Sequence, residues 1–331
     1  MPTNAMDFSA FIFNFFLRSF LAGLLVFFAR ETLGEQDALI DSNIPPYGLE
    51  GEGLPGRQVI LHDKRFLVMF DSLSGALTRL EDNKTHWVLE RRPELGVSFR
   101  MFAPLPDRNY NPIFGQAQRV ARMTQWDNRR LCITWTNVFS QNGGHLPIAF
   151  TSTVVLTNGL LNFTAELSNH STLEIDSVDY PYFGDLSPPA LSPALHIKTM
   201  RNKNPVDIQN TEIYPHFINE HGYWGDFFPL ITREVQQSMY CLIQSPDEGC
   251  LVAVDFQKAA YRIQYTFELH PGVNDSVYNV VPPGDNICGI PVHLEFRLCH
   301  FVWLKPGKSI KLASVAVSFF QNNQKQYFFE K

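Results

Sequence analysis

After residue 57 the chain is written in short apolar runs of period two, each closed by turn residues: QVILHD, RFLVMF, ALTRLED, LCITWTNVF, AFTSTVVLT, LLNFTAELSN, MYCLIQS, GCLVAVDF, VHLEFRLCHFVWL and SIKLASVAVSFF. Side chains of a strand point alternately to its two faces, so each run is suited to one buried and one wetter face. No helical pattern of comparable length follows, which makes packed antiparallel sheets the expected architecture. The turn signals agree. Ser-Leu-Ser-Gly at 72–75, Thr-Asn-Gly at 157–159 and Pro-Asp-Glu-Gly at 246–249 each separate two such runs and offer a Gly for a positive φ. An aromatic content of 13%, with 28 Phe, suits pleated half-buried surfaces and makes all-β the expected class.

Within this pattern the hairpin over 66–90 has a plain division of labour. Asp71, Ser72 and Ser74 are expected to set the turn through local backbone amides, while Phe66, Val68, Phe70, Leu77 and Leu80 supply core. The stretch from about Pro188 to Pro229 breaks the alternation. Rich in Asn, His and aromatics, it is expected to be a long irregular segment, the kind that carries binding groups in a sheet protein.

Charge and cysteine usage exclude several classes. The balance of 27 basic against 33 acidic residues, net −6, with no cluster of Lys and Arg, excludes nucleic acid as a partner. Cys132, Cys241, Cys250, Cys288 and Cys299 show no Cys-x-x-Cys spacing and no neighbouring His set, so no zinc site, other metal or cofactor is expected. The absence of a clustered carboxylate loop gives no calcium site either. Cys241 and Cys250 flank the 246–249 turn and either face each other across two strands or stay as buried free thiols. No Gly-x-Ser-x-Gly elbow or phosphate loop occurs.

Residues 8–29, FSAFIFNFFLRSFLAGLLVFFA, are far more apolar than the rest, with Asn14 and Arg18 interrupting the run. The uninterrupted part has the length of a signal-peptide apolar core and is short for a membrane span. The expected organisation is therefore a signal peptide or signal-anchor over 1–34, a Gly/Pro-rich linker over 35–57 and a sandwich domain over 58–331. A helix packed on the domain is the alternative for the first segment. With a signal, the protein is secreted or extracytoplasmic, with membrane attachment through the apolar segment if it is retained. Asn83, Asn162, Asn169 and Asn274 then face that compartment as Asn-x-Ser/Thr sites.

Three stretches carry a family resemblance. RFLVMFDSLSGALTRLEDNKTHW resembles the opening hairpin of galactose-mutarotase-like β-supersandwich domains. LCITWTNVF followed by AFTSTVVLTNGLLNFTAELSNHSTLEIDSVDYPYFGDL is similar to the central meander of that family, and HGYWGDFFPLITREVQQSMYCLIQSPDEGCLVAVDF to a segment of the N-terminal sandwich in multidomain glycoside hydrolases. The resemblance covers about Gln58 to Phe320. It implies a large antiparallel supersandwich that handles saccharides, either as an epimerase or lyase or as a non-catalytic module beside a glycosidase barrel. The departures are specific. A mutarotase sets a His acid and a Glu base on either side of the sugar. The Asn-His-Thr-Tyr-Phe-Asn run is absent, and Ser168 to Ser171 reads as the end of a strand. With Lys331 as the last residue of the sequence, the expectation is the sandwich alone, without the downstream barrel of roughly 250 residues that such hydrolases carry.

Sugar recognition combines an aromatic face against the C–H side of a pyranose with polar groups aimed at hydroxyls. Tyr214, His216, Glu220, His221, Tyr223, Trp224 and Asp226 concentrate both types within one short stretch and form the candidate oligo- or polysaccharide site. Each has a plainer alternative: anchoring aromatics for Tyr223 and Trp224, structural histidines for His216 and His221, solvated acids for Glu220 and Asp226. Trp126, Asp127, Arg129 and Arg130 suit either a ligand rim or a hairpin turn. The expected function is saccharide binding without catalysis. The alternatives are a carbohydrate-active enzyme, an epimerase, lyase or glycoside hydrolase using the 196–228 loops, and a purely structural sandwich.

Overall fold

The computed structural model describes residues 57–191, 193–218, 220, 229–270 and 293–321 in full, and the backbone of 277–279, 286–287 and 290–291. The apolar N-terminal segment, nearly all of the linker and four of the candidate site residues (His221, Tyr223, Trp224 and Asp226) lie outside the described residues. Among the described residues no α-helix occurs, and no helix is long and apolar enough to cross a membrane.

All named strand pairs are antiparallel, and two sheets carry most of the fold. The larger runs in the order Asn204–Tyr214, Leu195–Arg201, Tyr240–Gln244, Glu248–Asp255, Ser314–Gln321, Leu160–Asn169, Gly144–Thr157, Arg130–Ser140 and Arg122–Asp127, with Lys308–Lys311 beside Leu160–Asn169. The smaller runs Leu230–Glu234, Arg262–His270, His293–Phe301, Ser177–Phe183, Arg100–Phe102 and Pro112–Phe114. Aromatic contacts join their facing sides. Phe150 meets Phe99 at 4.7 Å and Tyr180 at 5.4 Å, while Phe163 meets Phe183 at 6.1 Å. Rings at these separations in tilted and edge-on poses are favoured over flat sandwiches. The space between the layers is lined by Gly75, Trp135, Ser152 and Tyr180 among others and has room for about one water. It is no place for a sugar.

A three-stranded sheet, Gln58–His62, Phe66–Asp71 and Leu77–Asp82, packs on this body through Phe66 against Phe319. Its hairpin forms as the residues dictate. One carboxylate oxygen of Asp71 accepts from the amides of Leu73 and Ser74 at 3.0 and 2.7 Å, and from the Ser74 hydroxyl at 2.9 Å. Gly75 sits at φ +70, and Trp135 donates its indole N–H to the Ser74 carbonyl at 2.9 Å. Phe66, Val68, Phe70, Leu77 and Leu80 are all buried.

Two expectations are corrected and one left open is decided. The stretch 188–229 is mostly strand where described, holding the hairpin Leu195–Arg201 and Asn204–Tyr214 and the short strand His216–Ile218. Its polar character reflects an edge position, where one side of the ladder stays open to water. Gly249 does not supply a positive φ. It lies inside the strand Glu248–Asp255, where an added Cβ would stand 2.3 Å from the Phe320 ring. Cys241 and Cys250 are diagonal neighbours rather than partners, opposite Val252 and Ile243 respectively, and both are buried free thiols.

Candidate functional site

On the face of the smaller sheet turned away from the larger one, side chains at every second position of four strands are polar. The register defines the rungs. His270 lies opposite His293 and Glu268 opposite Glu295, then Thr266, Arg297 and Tyr182 stand side by side, then Gln264, Cys299, Asp179 and Arg100. Alternation puts Leu269, Phe267, Leu294, Phe296 and Leu298 on the other face, in the core.

Arg297 ties the rungs together. Its guanidinium bonds Glu268, approaches Glu295 and Asp179 at 3.3 Å each, and stacks over the Tyr182 ring at 5.5 Å. Arg100 bonds Asp179 at 2.7 Å, and Tyr182 donates its phenol to Glu295. At the far rung the two imidazoles stack with centroids 5.2 Å apart, and His270 Nε2 lies 2.9 Å from Glu268 Oε1 and 3.2 Å from Glu295 Oε2. Buried charge is tolerated only when paired in this way.

Burial opposes ionisation at each group, and the neighbours outweigh it. Arg297 and His270 take Glu268 down to about 2 against the cost of burial. For Glu295, His270 prevails over burial in the same sense and holds the carboxyl well below its usual range. His270 rises to about 9 because Glu295 and Glu268 overcome desolvation. Arg100, Arg297 and protonated His270 thus balance Asp179, Glu268 and Glu295. Beside this network Glu90 behaves differently. It is wholly buried, and desolvation, then Asp185, lifts its pKa well above the carboxylate range against the backbone amides of Asp185 and Gly184.

At its other end the polar face opens onto aromatics. Phe102, opposite Ser177, carries the Arg100 guanidinium over its ring at 5.1 Å and meets Tyr110 at 5.7 Å. Phe301 stacks with Trp303 at 5.8 Å and lies under Arg262 at 5.5 Å. Ser177 runs between the two strands, so the aromatic pairs stand two strand spacings apart, about 10 Å. Tyr110 and Trp303 are 47% and 53% exposed, unusual for such large rings. Trp303 is held at φ +40, pinned by its amide on the Asp176 carbonyl at 3.1 Å and by Leu304 on Ile175 at 2.8 Å.

The sequence-predicted residues fall elsewhere. Tyr214 is buried. His216 is exposed and paired with Glu212 at 3.0 Å. Glu220 is held bidentately by buried Arg233, which also donates to Thr211 at 2.7 Å, so this carboxylate is a structural clasp between the sheets. Neither His216 nor Glu220 bonds to the polar face. Trp126 to Arg130 form a hairpin turn, with Arg130 over the Trp126 ring at 5.8 Å. Ser168 and Asn169 end a strand as expected, and the Asn169 amide caps the Leu173 and Leu304 carbonyls at 2.8 and 2.9 Å.

These features define an all-β sandwich of antiparallel sheets, one of which carries a charged and aromatic outer face. No family model matches the chain, and no curated protein matches it. Among solved structures it is similar to a galactose mutarotase-like protein from Lactobacillus casei ATCC 334, at 9% identity and TM-score 0.49, over 80% of this chain and 100% of that one. It is also similar to an α-mannosidase from Enterococcus faecalis V583, at 10% identity and TM-score 0.46, over 84% and 31%. A third likeness is to the 4-α-glucanotransferase of Thermococcus litoralis, at 7% identity and TM-score 0.41, over 87% and 39%.

Proposed function

We propose that this chain is a saccharide-binding sandwich whose ligand docks at the open, aromatic end of the polar sheet face. The observation that carries the reading is Trp303. A bulky residue at positive φ is costly, and such conformations gather at ligand sites. Here that conformation displays an indole, half in solvent and stacked on Phe301, across Ser177 from the Phe102–Tyr110 pair. A pyranose between the pairs would find aromatic faces for its C–H bonds and Arg100, Arg262 and Ser177 for its hydroxyls. Binding without catalysis is favoured because the carboxylates of the face are engaged by Arg297, Arg100, Tyr182 and His270. The apolar segment over 8–29 is read as the signal that exports or anchors the domain, which N-terminal sequencing of the mature protein checks.

The test is a glycan array followed by calorimetry on the best binder. Trp303→Ala and Tyr110→Ala are each expected to weaken it about tenfold. Unchanged affinity in both variants, or no glycan bound by the parent protein, overturns the reading.

A further inference from the structure

We infer that His270, His293 and Glu295 form a binding site for a divalent transition metal of the zinc type. The site lies at the opposite end of the polar face from the aromatic pairs and stands independently of the saccharide reading. Its geometry comes from the register. The strand Arg262–His270 carries Glu268-x-His270, the antiparallel strand His293–Phe301 carries His293-x-Glu295, and His pairs with His and Glu with Glu across the two strands. All four side chains therefore leave the sheet on one side, His270 and His293 as parallel rings 12° apart. Among the described residues, His270, His293 and Glu295 present one ligand atom each within 4.8 Å of one another.

Two contacts in this cluster have the size a zinc ion requires. Metal–ligand bonds of 2.0–2.1 Å in a tetrahedron give ligand–ligand edges of about 3.3 Å. Glu295 lies 3.2 Å from His270 Nε2 through one oxygen and 3.5 Å from His293 Nε2 through the other. Glu268 Oε1, 2.9 Å from His270 Nε2, is placed as a fourth ligand, and the metal takes the place of the proton that His270 Nε2 otherwise shares with the two carboxylates. Two imidazoles and a carboxylate suit zinc and its neighbours, whereas calcium and magnesium prefer all-oxygen sets. The second layer is in place as well. Arg297 holds Glu268 through Oε2, and Tyr182 holds Glu295, the outer bonds that orient carboxylate ligands. The ligands are split between two strands, with no short Cys/His spacing to betray them in the sequence.

The experiment uses the full chain, stripped with a chelator and titrated with Zn2+ and separately with Co2+, without sugar. One equivalent per chain is expected, with the intense visible bands of four-coordinate Co2+. His270→Gln with His293→Gln together should abolish stoichiometric binding, and Tyr182→Phe should weaken it about tenfold. Trp303→Ala should leave it unchanged, which separates failure here from failure of the sugar site. Circular dichroism confirms that each variant folds. If the double variant does not fold, Glu295→Gln replaces it and should lose the Co2+ bands. Absence of stoichiometric binding in the parent, or binding that survives ligand substitution, overturns the assignment.

Discussion

From one guanidinium Arg297 reaches Asp179, Glu268, Glu295 and the face of Tyr182. Removing it leaves three carboxylates in a buried site with only Arg100 and His270 to balance them. Breaking a buried network from one side costs about 3–5 kcal/mol, because the partners keep their desolvation penalty. Arg297→Ala should lose stability in that range in urea denaturation, and Tyr182→Phe, which removes one bond, about 1–2 kcal/mol. Trp303 gives the contrasting case. Glycine accepts φ +40 freely, and the indole is half exposed, so Trp303→Gly should leave the melting temperature at or above that of the parent while glycan affinity falls. A Trp that merely anchored the loop would lose both, so the two readouts divide the roles.

At the scale of strands, the runs visible as strict alternation are all strands, from Gln58–His62 through Ser314–Gln321. Alternation reports burial of one face, and these strands have one face in the core. The polar face was legible only in outline. HLEFRLCHF was visible as a strand, but its His, Glu, Arg and Cys at every second position look the same whether they face water or a buried network. What distinguishes the two is the register of His293–Phe301 against Arg262–His270 and Ser177–Phe183, which pairs residues far apart in the sequence. The 214–228 stretch drew attention through composition, yet Glu220 serves Arg233 and the edge hairpin. Glu220→Ala should therefore loosen that edge: amides of Asn204–Tyr214 should exchange faster with deuterium, while glycan and metal titrations stay unchanged. If exchange in that strand is unaffected, the Glu220–Arg233–Thr211 clasp does not hold the edge.

For the molecule as a whole, two fully buried groups with opposite demands shape stability against pH. His300, on the core face of His293–Phe301, donates from Nε2 to the Tyr180 carbonyl at 2.7 Å, and burial lowers its pKa from 6.5 to about 4. Below pH 6.5 the unfolded chain takes a proton that the fold refuses, so stability is intact above 6.5. It falls by about 1.4 kcal/mol per unit down to pH 4, about 3 kcal/mol in all. Glu90 runs the other way. Its raised pKa means that above 4.5 the unfolded chain loses a proton the fold retains, so stability is intact below 4.5 and declines as pH rises. Above pH 4.5 the two slopes oppose each other, and a variant at either site should expose the other. Relative to the parent, Glu90→Gln should gain stability as pH rises above 4.5, and His300→Gln should lose it as pH rises from 4 to 6.5. Urea denaturation at half-unit steps reads both differences. If they do not change with pH, the imidazole and the carboxyl are not held neutral by the fold, and the charge balance argued for the polar face beside Glu90 would lose its local support.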